Sequence, residues 1–146
     1  MAKLNAGKVV AGGILAALVF GGFDFVSNNF LLADAWQEVA HLRNIDPAVM
    51  TGTGALATMI VIYLLLGLTI VLTYAAIRPR FGPGPGTAAI ASFLIVLPMI
   101  VILAGFAPWF IPWDLWFRQS AVTFAATIVA GYAGGWVYAE EESERA

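Results

Sequence analysis

Four blocks of apolar residues, each about as long as a bilayer is thick, alternate with short polar stretches along the chain, at about 9–26, 54–77, 87–106 and 120–138. A helix needs roughly 20 apolar residues to cross about 30 Å of hydrocarbon. The pattern therefore predicts an all-α, polytopic four-transmembrane-helix bundle. Spans and links take up nearly all of the sequence, so a single integral membrane domain over 1–146 is expected. After the first apolar core the chain continues as Gly21-Gly22-Phe23-Asp24-Phe25-Val26, without a small-residue cleavage site. The expectation is a retained anchor rather than a signal peptide.

The polar stretches differ in kind. From Leu31 to Asn44, apolar residues Leu32, Ala35, Trp36, Val39 and Leu42 recur at helical spacing. This predicts a short amphipathic helix on the outer surface between spans 1 and 2, broken by Asp46-Pro47. The central link, 78–86, carries Arg78-Pro79-Arg80 and a proline–glycine alternation; it is expected to end the second span and turn stiffly. Pro98 predicts a kink in the third span. An aromatic loop follows, Phe106 to Phe117, interrupted by Pro108 and Pro112. An acidic tail, 139–146, closes the chain.

Small residues mark helix faces. Gly13, Ala17 and Gly21 are spaced by four, as are Gly12 and Ala16, and Gly131 and Gly135 form a GxxxG pair. Small side chains let helix backbones approach closely in lipid, so Gly13, Ala17, Gly21, Gly131 and Gly135 are read as helix-packing positions. Thr69 and Thr73 are placed to return their hydroxyls to carbonyls one turn earlier. A shift of 64 residues superposes Gly67, Tyr74 and Ala75 on Gly131, Tyr138 and Ala139, a faint sign of a parallel two-helix repeat.

Composition agrees with this class and removes others. The chain is 61% hydrophobic and 11% charged, against about 25% charged in ordinary soluble domains. It contains no cysteine, which excludes disulfides, thiolate metal sites and cysteine nucleophiles. A net charge of −2 without a basic run gives no support to nucleic-acid binding. Four spans put both ends on one side, with Lys3, Lys8, Arg78, Arg80 and Arg145; Arg43 and Arg118 fall on the other. The positive excess marks the cytoplasmic face. The expected location is the bacterial inner (cytoplasmic) membrane, multi-pass, with both termini cytoplasmic. Trp36, Trp109, Trp113 and Trp116 would form the outer aromatic belt, and Tyr74, Trp136 and Tyr138 the inner one.

Candidate chemistry lies mostly on the outer side. Asp24 falls near the far end of span 1, about 24 Å from Lys8 at 1.5 Å per residue; it is read as a polar contact to a neighbouring helix or, with Asn28, Trp109, Trp113 and Trp116, as part of a ligand-binding site. Asp34, Glu38 and His41 project from one helix face. Glu-x-x-His is the pair that carboxylate-bridged metal sites take from a helix, although a second copy of the chain would be needed to complete such a site. Arg78 and Arg80 are placed to attract lipid headgroups. No nucleotide motif, Ser-His-Asp set or cofactor fingerprint is present, so neither a catalytic residue nor a cofactor is assigned.

Leu32-Ala-Asp-Ala-Trp36 and the central Tyr74-Ala-Ala-Ile-Arg-Pro-Arg-Phe-Gly-Pro-Gly-Pro-Gly-Thr-Ala88 resemble a widespread group of small, uncharacterised four-span bacterial inner-membrane proteins. The resemblance covers most of the chain. It implies fold and location and carries over no catalytic residue. Three function classes remain: an accessory, helix-packing component of the inner membrane without catalytic activity; a binder or carrier of a small apolar or amphiphilic molecule in an outer-leaflet pocket; and a metal-dependent membrane enzyme using Asp34, Glu38 and His41. The partners expected are the lipid bilayer and either further copies of the chain or a larger membrane complex.

Overall fold

The computed structural model describes residues 4–143, which are all-helical, with no strand among them. Helix α1 (Ala6–Val26) runs into a π-helical turn, Ser27–Leu31. It is followed by α2 (Ala33–Leu42), α3 (Pro47–Thr51), α4 (Thr53–Phe81), α5 (Pro85–Phe110) and α6 (Trp113–Ser143). Four helices are long and apolar enough to cross a membrane: Ala6–Leu31, Thr53–Phe81, Pro85–Ala107 and Trp113–Tyr138. Lys3, Glu144 and Arg145, which entered the charge count and the tail, lie outside the described residues.

The helices outgrow their expected bounds, and the differences have local causes. Pro79 does not end α4, because proline in a last turn forgoes only one backbone bond. The helix stops at Gly82, whose N–H still donates to the Arg78 carbonyl at 2.8 Å. Gly82 (φ 80°, ψ 167°) and Gly84 (φ 131°, ψ 178°) occupy a region of backbone space open essentially to glycine alone. The expected link of 78–86 thus shrinks to Gly82–Gly84, with Pro85 already in the first turn of α5, where its missing N–H is harmless. Thr87 Oγ1 donates to the Gly82 carbonyl (2.7 Å) and the Gly84 N–H donates to the Tyr74 hydroxyl (3.3 Å), fastening the turn to both helices. A Cβ at Gly82 would meet nothing within 4 Å, so Gly82→Ala tests conformation alone. It is expected to cost about 1–3 kcal/mol, seen as a lower unfolding temperature in detergent.

Helix α5 runs through both Pro98 and Pro108 to Phe110. The expected aromatic loop is therefore two helix ends separated only by Ile111 and Pro112. The break expected at Asp46-Pro47 is present, since α2 has ended at Leu42, and the pair also starts α3: the Asp46 carboxylate accepts from the Ala48 N–H (2.9 Å), with proline at the first helical position. As the spacing predicts, the Thr69 and Thr73 hydroxyls donate to the Leu65 and Thr69 carbonyls, each at 2.7 Å.

Packing follows the small residues. Helices α4 and α6 touch along the middle; α1 fills one groove of that pair and α5 the other. A Cβ on Gly67 would overlap the Gly13 carbonyl and Ala17 of α1, and one on Gly131 would overlap Ser92 and approach the Ala88 carbonyl of α5. Each glycine thus meets two residues four apart on the long helix before it, so the two halves of the chain repeat one contact. Gly12 and Gly134 bring the backbones of α1 and α6 together, with Val71 of α4 packed against both. Gly135 faces Ala88 and Tyr74. The small-residue faces are occupied by contacts within the chain.

Tyr74 and Tyr138, expected in an interfacial belt, are instead buried in this core and meet edge to face at 6.0 Å. Gly135 lies against the Tyr74 ring and, having no side chain, leaves it room. The Lys8 ammonium donates to the Tyr138 carbonyl (3.3 Å), and Arg78 lies over the Tyr138 ring at 5.7 Å. The start of α1 and the ends of α4 and α6 therefore share one end of the bundle. The π turn, α2 and the start of α6 make up the other.

Candidate functional site

At the α2 end, three helices meet through one carboxylate. Asp24 of α1 accepts from the Tyr63 hydroxyl of α4 through Oδ2 (2.5 Å) and from the Gln119 amide of α6 through Oδ1 (3.3 Å). The ring of Tyr63 can pass α1 because Gly21 has no side chain: a Cβ there would come within 3.0 Å of it. Phe20 packs on the same ring at 5.5 Å between centroids. The stripe that reads as generic helix packing in the sequence thus has a specific result here, admitting the phenol to the aspartate. Gln119 Oε1, on the amide that meets Asp24, and Ser27 Oγ, one turn after Asp24, are buried without a hydrogen-bond partner.

One turn beyond Asp24 the backbone widens into the π turn, where the Leu32 N–H reaches the Ser27 carbonyl (2.8 Å). Such turns occur mostly as local bulges in helices, often at functional sites. Asn29 donates to the Phe25 carbonyl (2.8 Å), and Asn28 Oδ1 accepts from the Trp36 indole N–H (2.8 Å). This last bond holds α2 back against α1. Leu32 and Val39 then bury against Leu115 of α6, with Ala35, Trp36 and Ile111 around them. Leu42, expected on this apolar face, is instead exposed.

A cleft of about 360 Å³ opens beneath α2, between α5 and α6, walled by Trp36, Leu103, Phe110, Trp116 and Gln119 among others. That volume lies within the roughly 300–1,000 Å³ usual for ligand sites, and the lining is almost wholly apolar. A second hollow of about 380 Å³ shares Trp36, Phe110 and Ile111 with it and adds Arg43 and Trp109.

The ligand-site residues named from the sequence divide accordingly. Trp116 lines the cleft and Trp109 the hollow beside it. Trp113 lines neither; it meets Trp116 edge to face (5.4 Å) and packs at a tilt on Phe117 (6.0 Å). Asp24 and Asn28 stand one hydrogen bond behind the wall, holding Gln119 and Trp36. Sequence reading missed Gln119 and Tyr63; the available signal was a polar group inside the second apolar block and another at the edge of the fourth.

Asp34, Glu38 and His41 are exposed on α2, and among the described residues no three His, Asp or Glu side chains form a group that could hold a metal ion. Arg118 is paired with Asp114 (2.5 Å) at the surface, an arrangement that contributes little stability. Arg43 is exposed and makes no ion pair among the described residues. Arg80 is exposed, while Arg78 is half-buried against Tyr138.

Fold and site together define an all-α chain with four helices long and apolar enough to cross a membrane, tied at one end by an aspartate and bearing an apolar cleft there. No protein-family model matches the chain, and comparisons with curated proteins and with solved structures return no match.

Proposed function

We propose that this is a four-span protein of the bacterial inner membrane, both termini cytoplasmic, acting as an accessory, helix-packing component without catalytic chemistry of its own. The observation that carries this reading is the use made of Asp24. A carboxylate among apolar helices is a functional candidate by default, yet both its oxygens are engaged by donors from other helices, so its work is to join them. The broad apolar faces of α4 and α5 support membrane placement, since only 17% of the most apolar window of each is buried within the chain. Lys8, Arg78 and Arg80 at the end opposite α2 support a cytoplasmic location for that end.

With its glycine faces already occupied, contact with other proteins would use the Leu, Ile and Phe surfaces of α4 and α5. Native mass spectrometry after extraction in mild detergent tests this. A stable assembly with itself or with another membrane protein is expected, and a lone monomer under all mild conditions would contradict it.

The cleft favours a second reading, a binder of an amphiphilic molecule in the outer leaflet. Its walls are apolar, the hollow that shares Trp36, Phe110 and Ile111 with it adds an arginine, and it lies on the side of the bundle where tryptophans gather.

A further inference from the structure

We infer that the cleft and the hollow beside it form one site for a phospholipid, with an acyl chain between α5 and α6 and the phosphate at Arg43. This rests on the second reading above and names its ligand. The cleft offers water almost no polar partners, and ordered water needs roughly two to four of them; an apolar chain is the occupant its chemistry accepts. Leu103, on its wall, belongs to a face of α5 that is open to the surroundings, so a chain can enter sideways from a bilayer.

The path does not end in the apolar region. Trp36, Phe110 and Ile111 are walls of both spaces, and past them stands Arg43. A guanidinium binds phosphate with paired, charge-assisted hydrogen bonds. Arg118, the other arginine at this end, is already paired with Asp114. The nearest acids in sequence are Glu38, on the exposed face of α2, and Asp46, whose carboxylate caps α3. At the junction, Trp36 is fixed by Asn28, so the wall between tail and headgroup is set before a lipid arrives.

The test is the phospholipid retained by protein released from phosphatidylglycerol–phosphatidylethanolamine nanodiscs and read by native mass spectrometry. Wild type is expected to hold close to one phospholipid. Leu103→Trp, which fills the cleft from a partly exposed position, should lose most of it. Arg43→Gln should lower retention about five-fold, as expected for one cation near the membrane surface. Ile102→Trp, on an exposed α5 position outside the lining, should retain as much as wild type and shows that a tryptophan on α5 is tolerated. Equal retention by all four proteins would overturn the inference. A retained apolar molecule without phosphate would also overturn it while leaving the amphiphile reading standing; no retained molecule at all would remove both.

Discussion

Gly67→Ala is expected to destabilise the bundle by about 3 kcal/mol, at the upper end of what overpacking usually costs. The added methyl would overlap the carbonyl oxygen of Gly13 and crowd the backbone nitrogen of Ala17. Both obstacles are main-chain atoms of α1, so no side chain can rotate out of the way and the helices must separate. Separation would also weaken neighbouring contacts, because Gly13 packs on Leu68 and Gly12 on Gly134 in the same layer. Gly105→Ala is the matched control, since a Cβ there meets nothing within 4 Å. In a helix interior alanine is favoured over glycine by about 1 kcal/mol, so that variant should be unchanged or slightly more stable. Reversible unfolding in mixed micelles, followed by helical circular dichroism, distinguishes the two.

The second large effect is expected at Asp24. Asp24→Leu removes the acceptor from the Tyr63 hydroxyl and the Gln119 amide at once. Each buried donor left without a partner costs about 1–3 kcal/mol, so a loss of about 2–4 kcal/mol is expected from two incompletely desolvated groups. Asp24→Asn keeps an acceptor oxygen and should lose less. Adding Tyr63→Phe to Asp24→Leu removes one orphaned donor and should restore part of the stability. A double-mutant cycle measures this coupling, and strictly additive losses would show that the phenol and carboxylate do not act together.

These two sites also show what was legible in the sequence. The four long helices follow from uninterrupted apolar runs, a property each segment carries by itself. Thr69 and Thr73 are similar, because their hydroxyls bond within the same helix. The bearing of Asp24 on neighbouring helices could be anticipated, since a carboxylate in an apolar block needs a donor. Which donors it finds could not, because Tyr63 and Gln119 lie 39 and 95 residues away in the chain and nothing local marks the pairing.

Prolines misled in one direction. Pro79 and Pro108 sit in last turns, where one missing bond is cheap. Tyr74 and Tyr138 read as interfacial by residue type, but their rings are buried against each other inside the bundle. The cleft was invisible for a related reason: it lies between α5 and α6 with Trp36 of α2 on its wall, and the place of Trp36 is set by its bond to Asn28.

The proposed membrane arrangement is tested most directly by cysteine accessibility, because the chain has no cysteine of its own. Gln37→Cys on α2 and Arg80→Cys beside the Gly82–Gly84 turn are both at exposed positions. In intact spheroplasts a membrane-impermeant maleimide should label Gln37→Cys and leave Arg80→Cys unlabelled until the membrane is opened. Labelling of Arg80→Cys from outside, or protection of Gln37→Cys there, would contradict four crossings with the glycine turn in the cytoplasm.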